Sequence, residues 1–281
     1  MEDDRPSATA VAVALTRAAL TRPSTPHGDP DADVALARTL AGPGVGMFDS
    51  GGDDPDAGPT PFARFIEERT RFFDAAVLGA IADRVEQVVV LGAGYDGRAL
   101  RFRSPGTRFV EVDHPATQAH KRDRLAELGV DDADVTYVAA DFTEPGLADA
   151  LAAVGVGPET PALFALEGVL RYLPVSSVRE LFATLAALAS PETTFALTVV
   201  TTRHDDTPAR AAARQAAEQA TADVGEPGHT VPSRDEAVAW LEHAGWRVDS
   251  EVDLCDVIEG WYTGYLLLRA RPAGRTDDAR S

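Results

Sequence analysis

From Gln87 onward, short apolar runs alternate with amphipathic stretches. Runs rich in β-branched and aromatic residues predict strands at 87–91, 108–113, 135–140, 161–167 and 193–202. Helical spacing between them predicts helices at about 96–103, 115–128, 146–154 and 175–189. Such alternation implies a mostly parallel sheet with right-handed crossovers. Further on, Ser233-Arg-Asp-Glu236 has the form of a capping box, and the helix it opens runs to about Ala244 and stops at Gly245. Strands at 246–253 and 261–270 follow, joined by a loop through Gly260 that is too short for a parallel crossover. The expected fold is α/β, a doubly wound, seven-stranded, mostly parallel sheet with an antiparallel last strand.

The pattern before Gln87 is helical. Phe62, Phe65, Ile66, Phe73, Val77 and Ile81 recur at near-helical spacing and predict a helix from Pro61 to about Asp83, with Arg64, Glu67, Glu68, Arg69, Arg71 and Asp74 interleaved. Ala-rich stretches at about Ala8–Thr21 and Asp31–Leu40 predict two more helices, and Gly42–Pro61 reads as a flexible loop. Arg203–Gly228 breaks the strand–helix rhythm with helical sequence at Ala209–Ala222, and reads as an insertion over the site. The expected organisation is an N-terminal helical cap (1–60), with a disordered tail as the alternative for that stretch. A main domain (61–272) carries a lid insertion at about 203–230, and a disordered tail closes the chain (273–281).

Composition narrows the partners. The formal charge is −19 and Lys121 is the only lysine, so neither a nucleic acid nor an anionic membrane finds the basic face it needs. Cys255 stands alone, which leaves no intrachain disulfide and no cysteine zinc site, and no other metal-ligand spacing is visible. There is no long apolar run, and Met1-Glu-Asp-Asp carries the wrong charge for a signal peptide, so a cytoplasmic protein is expected. Oligomeric state is open.

The candidate chemistry centres on Val88-Val-Val-Leu-Gly-Ala-Gly-Tyr-Asp-Gly97, a strand that breaks into glycines and then a helix. Such a loop sits in the cofactor crevice of a doubly wound sheet. Read literally it satisfies the dinucleotide fingerprint. Asp113 follows Gly92 by 21 positions, where an acid takes ribose hydroxyls, and that ribose belongs to NAD and S-adenosylmethionine alike. Asp96 argues between them. A carboxylate about 4–5 Å from a pyrophosphate would cost about 1–4 kcal/mol, whereas the ammonium and sulfonium of S-adenosylmethionine suit an acidic loop.

Other strand ends agree. Asp141 could accept the adenine amino group and Phe142 cover the ring; equally, Asp141 could cap the next helix and Phe142 belong to the core. Glu167-Gly168 ends the fourth predicted strand, at the mouth of the crevice. Arg69 could grip a methionine carboxylate with two prongs, or pair with Glu67 or Asp74 on the surface.

Taken together, five segments resemble the leucine carboxyl methyltransferase family of class I S-adenosylmethionine-dependent methyltransferases. They are Glu68-Arg-Thr-Arg-Phe-Phe-Asp74, Leu91-Gly-Ala-Gly-Tyr-Asp-Gly-Arg-Ala-Leu-Arg-Phe102, Phe109-Val-Glu-Val-Asp-His-Pro115 with Lys121, Tyr137-Val-Ala-Ala-Asp-Phe142, and Glu167-Gly-Val-Leu-Arg-Tyr-Leu-Pro174. The similarity covers about residues 8–270 and is greatest to a bacterial branch of O-methyltransferases, several associated with natural products. It implies a Rossmann-like methyltransferase fold. It also implies that Arg69 grips the methionine carboxylate, that Gly92, Ala93 and Gly94 lie against the donor, and that Asp113, with His114 beside it, holds the ribose. Asp141 and Phe142 would hold the adenine, and Glu167, Gly168 and Tyr172 would line the donor near the acceptor. Two residues depart from the family pattern: Gly97 replaces a usual threonine and is expected to loosen the loop without abolishing donor binding, and His114 replaces an apolar residue or glutamine.

The expected reaction is methyl transfer to a carboxylate or hydroxyl of a small molecule. A carboxylate acceptor needs no base, whereas a phenol or alcohol usually does. His204 heads the candidates for that base, followed by His229 and then His114, although any one of them is more often a surface histidine than a base. The competing classes are a nicotinamide oxidoreductase, which requires Asp96 to be neutralised or turned away, and a non-catalytic donor-binding protein.

Overall fold

Both faces of the central strands are buried, as their unbroken apolar runs require. The computed structural model describes residues 8–40, 58–202, 207–223, 228–261 and 263–274. The elements run in the order α1 (Ala8–Ala18), α2 (Ala32–Leu40), α3 (Pro61–Ala82), β1 (Gln87–Leu91), α4 (Arg98–Arg101), β2 (Arg108–Asp113), α5 (Pro115–Glu127) and β3 (Val135–Ala139). Then come α6 (Leu147–Ala153), β4 (Ala162–Leu166), a 3₁₀ turn (Leu170–Tyr172), α7 (Val175–Ala187), β5 (Thr194–Thr201), α8 (Pro208–Asp223), α9 (Arg234–His243), β6 (Trp246–Asp253), α10 (Leu254–Val257) and β7 (Gly264–Pro272).

The strands form one seven-stranded sheet in the order β3-β2-β1-β4-β5-β7-β6. β1 to β5 pair in parallel, and β7 is antiparallel to both β5 and β6. Alternating residues divide between two cores. Val89, Leu91, Phe164 and Leu166 face α6, α7 and α9, where Leu151, Phe182 and Leu241 pack. Val88, Val90, Leu163 and Ala165 face the other way, against Phe73 and Val77 of α3 and Leu36 and Ala37 of α2. Val11 and Ala14 of α1 are buried in that second core.

The ends of α3 and α9 show why these stretches are helical. Thr60 Oγ1 accepts from the Ala63 amide at 3.1 Å, with Pro61 at the first helical position. Ser233 and Glu236 make both halves of the expected capping box.

Three local features differ from expectation. The helix expected over 96–103 is only Arg98–Arg101, because the Asp96 side chain accepts from the Arg98 amide at 2.8 Å and holds 92–97 as loop. The link before β7 contains a short helix, α10, capped by Asp253, whose Oδ1 accepts from the Cys255 amide at 3.0 Å. β7 covers Gly264–Pro272 rather than the expected 261–270; as the expected antiparallel strand it lies between β5 and β6. Most of the expected 42–61 loop and the expected tail from 275 onward lie outside the described residues. So do both flanks of α8, 203–206 and 224–227. Among the described residues no helix is long and apolar enough to cross a membrane.

Candidate functional site

The carboxyl ends of β1, β2, β3 and β4 lie side by side, because Leu91 is in register with both Val112 and Leu166, and Asp113 with Ala139. The residues that leave these strand ends therefore share one crevice. Gly92 and Gly94 have positive φ, 67° and 49°, which L side chains rarely adopt. A Cβ on Gly92 would also collide with Val169, just after β4. Both Gly92 and Ala93 donate their amides to Val112 O, at 2.8 and 3.1 Å, so the loop folds back onto the end of β2.

That fold brings Asp113 into the loop. Its carboxylate accepts from the Gly94 amide through one oxygen and from the His114 amide at 2.6 Å through the other. Burial nevertheless raises its pKa, against the pull of those two amides. His114 caps α5, its Nδ1 accepting from the Ala116 amide at 3.3 Å, and its Nε2 lies 4.0 Å from Asp141 Oδ2. Asp141 does not cap α6, which begins six residues later at Leu147. It accepts from the Thr143 amide at 2.8 Å and the Thr143 hydroxyl at 2.7 Å, and these outweigh its slight burial to lower its pKa. Phe142 is partly buried against the first core.

Around Glu167 the picture departs most from sequence reasoning. Arg69 pairs with neither Glu67 nor Asp74. Arg71 takes Glu67 and Glu68 on the surface, while Arg69 turns inward and donates Nε to Glu167 Oε1 at 2.7 Å. Arg17 of α1 donates to the same oxygen at 2.7 Å, and Arg98 donates to Oε2 at 2.6 Å. Burial alone would raise the Glu167 pKa, but Arg17, Arg98 and Arg69 hold it down at about 2.

Arg98 is the hub. It also donates Nε to Asp74 at 2.7 Å and Nη1 to Asp96 at 2.5 Å. Asp96 is thus buried and neutralised, with Arg17 3.6 Å away, and its pKa lies well below the carboxylate range because Arg98, Arg17 and Lys121 outweigh its burial. The electrostatic objection to a pyrophosphate, which needed an uncompensated charge at Asp96, does not hold. The condition set for a nicotinamide enzyme is met, and the cofactor has to be decided on other grounds.

Gly97 is also reinterpreted. A Cβ there would collide with the Asp33 side chain of α2, which pairs with Arg22 and Arg101. The glycine admits α2 to the loop; it does not loosen it. Lys121, wholly buried, bonds Glu111 at 2.6 Å and Asp96 O at 2.5 Å, tying α5 to the same loop.

Gly168 (φ 75°) follows Glu167, and its amide donates to Thr198 of β5 at 2.8 Å. Tyr172 lies in the 3₁₀ turn beneath the Arg171 guanidinium, 5.4 Å from ring centre to Cζ. His204 lies outside the described residues. Sequence reasoning missed Arg17, Arg98 and Tyr265 as site residues. Arg98 was visible inside the glycine-loop segment, but nothing local to Arg17 or Tyr265 marks them.

A glycine loop after the first strand, acids at the next three strand ends and an antiparallel seventh strand together define the architecture of the Rossmann-like methyltransferases. A solved structure of a "putative methyltransferase" from Thermobifida fusca has the same fold, with a TM-score of 0.57, 16% identity and 96% of each chain covered. The leucine carboxyl methyltransferase family model matches residues 10–186. The chain belongs to the leucine carboxyl methyltransferase family, whose members use S-adenosylmethionine. Among its relatives, a protein of Mycobacterium sp. (strain KMS) is 39% identical over 193 residues, covering 65% of this chain and 63% of its own. One of Mycobacteroides abscessus is 36% identical over 194 residues, covering 67% and 63%. Both bear the name "Putative S-adenosyl-L-methionine-dependent methyltransferase". The matched region thus spans 63% of the length of these relatives.

Proposed function

We propose that this protein transfers a methyl group from S-adenosylmethionine to an oxygen, carboxylate or hydroxyl, of a small molecule. The observation that carries this reading is the state of Arg69. It already holds a carboxylate through Nε, and its Nη2 makes no hydrogen bond among the described residues. Such a guanidinium has donors left for a second carboxylate, as the methionine end of the donor offers; a phosphate could also take them, so the choice of S-adenosylmethionine over NAD leans on family membership. The other contacts fit the same ligand. Asp113, fixed by two backbone amides, keeps lone pairs for two ribose hydroxyls, and Asp141 with Phe142 flanks the adenine position, with His114 at the rim. Gly92, Ala93 and Gly94 supply close backbone approach.

Bound, the donor supplies a methyl group activated by a sulfonium. This chain's residues position and seclude the reactants. Glu167 and Gly168 at the end of β4, with Tyr172 in the 3₁₀ turn that follows, are the residues assigned to the acceptor side of the crevice. α1 lies over the glycine loop, and a Cβ on Gly94 would come 3.8 Å from Ala10 Cβ, so this helix excludes water from the loop. A carboxylate acceptor needs only alignment. A hydroxyl acceptor would call on a base, for which His204 is the proposed residue. The N-terminal helices serve as cap and α8 as lid to the 61–272 catalytic unit.

The test is incubation with methyl-labelled donor and a panel of carboxylic and phenolic acids. Label in a base-labile ester or a base-stable ether supports O-methylation and separates the two acceptor types. Label only on nitrogen or carbon acceptors overturns it.

A further inference from the structure

The C-terminal hairpin also reaches the donor crevice. Tyr265 of β7, 5% exposed, accepts a hydrogen bond from Arg69 Nη1 at 3.2 Å. Its ring is held from two directions. Phe65 of α3 meets it edge-on, with centroids 4.7 Å apart at 87°, and Phe65 is itself stacked flat on Trp261 at 4.1 Å and 7°. On the backbone side, the Tyr265 amide donates to Asp253 Oδ1 at 3.1 Å. The Tyr265 hydroxyl therefore has one available position, and it lies beside the Arg69 guanidinium.

Three contacts then fix that guanidinium: Glu167 on Nε, Tyr265 on Nη1, and the Phe65 face 5.2 Å from Cζ. A planar guanidinium has five N–H groups. With Nε and one Nη1 proton engaged, one proton remains on Nη1 and two on Nη2, donors enough to receive a carboxylate. Without the tyrosine hydroxyl, Nε–Glu167 would remain as a single hydrogen-bonded pivot about which the plane can swing.

We infer that Tyr265 is a positioning residue, which aims the free edge of Arg69 at the α-carboxylate of the donor. The inference rests on the proposed role of Arg69. It gives β7, a strand with no other part in donor binding, a share in recognising the amino-acid end of the ligand.

Titration calorimetry with S-adenosylhomocysteine and with methylthioadenosine, which shares the nucleoside but lacks the carboxylate, tests it. Tyr265→Phe removes one hydroxyl and keeps the ring packing. It is expected to weaken S-adenosylhomocysteine by about 3- to 10-fold, the range of one lost hydrogen bond, and to leave methylthioadenosine unchanged. Arg69→Ala should show the same selectivity and a larger loss. An unaltered S-adenosylhomocysteine affinity in Tyr265→Phe, alongside a selective loss in Arg69→Ala, overturns the positioning role and leaves the Arg69 reading intact. Equal losses for both ligands in Tyr265→Phe overturn it in favour of a structural role. No selective loss in Arg69→Ala removes both.

Discussion

Asp113 and Gly97 show how single residues shape the crevice. Asp113 is oriented by two backbone amides, and under the proposed function its remaining lone pairs would take the ribose hydroxyls. Asp113→Ala should weaken S-adenosylhomocysteine by about 1–3 kcal/mol by calorimetry, and unchanged affinity would remove the ribose assignment. Its pKa is raised by burial, so affinity should fall as the pH is lowered through that raised value and hold steady above it. Gly97 makes room for Asp33, so Gly97→Thr, which restores the residue usual in the family, should destabilise this protein by about 1–3 kcal/mol through overpacking. A denaturant midpoint equal to or above that of the parent would show that α2 does not depend on this glycine.

Among the elements, α1 is joined to the sheet by charge as well as by packing. Arg17 reaches Glu167 at the end of β4, 150 positions away in sequence. In Arg17→Ala, Glu167 keeps Arg69 and Arg98, so the cost should stay below the about 3–5 kcal/mol typical when a buried charge is left unpaired, and it should fall on the docking of α1. Amide exchange in α1 should therefore quicken in Arg17→Ala while β1 and β4 keep their protection. Uniform protection across the variant would mean that Val11 and Ala14 hold the helix without the ion pair.

These elements also show what a sequence discloses. Strands 87–91 and 108–113, the glycine turn and the capping box were legible, because periodicity, positive φ and caps are properties of a few neighbouring residues. The acids at the strand ends followed from those boundaries. The partners of Arg69 and Asp96 were not legible, because both ion-pair choices depend on which distant helix packs over the loop. Glu67 and Asp74 were plausible by spacing on α3, yet Arg69 turns to the sheet and Arg98 claims Asp74. The insertion of β7 between β5 and β6 was equally hidden, since a hairpin fixes the pairing of its own strands and not which of them meets the sheet.

For the whole molecule, the −19 formal charge is misleading about the crevice. Asp33, Asp74 and Asp96 are buried, Glu167 is largely so, and all four are matched by Arg17, Arg22, Arg69, Arg98 and Arg101. This matching makes stability depend on acid. Glu167 drops from 4.5 to about 2 on folding, and Asp74 and Asp96 are lowered as well. Their stabilisation is complete above the unfolded carboxylate range and is lost as pH falls through the folded values. Glu111 and Asp113, raised by burial, act in the opposite sense. Denaturant midpoints should fall between about pH 5 and pH 3, and the slope should be shallower in Glu167→Gln. A slope identical in the variant would show that Glu167 contributes nothing to it.

Since Asp96 is neutralised and the free edge of Arg69 suits a carboxylate or a phosphate, preference between the two cofactors rests on family membership. Titration of the unmodified protein with S-adenosylhomocysteine and with NAD, under one buffer, tests this most directly. Saturable binding of S-adenosylhomocysteine, with NAD at least about 10-fold weaker, is the expected result. Tighter binding of NAD would contradict it.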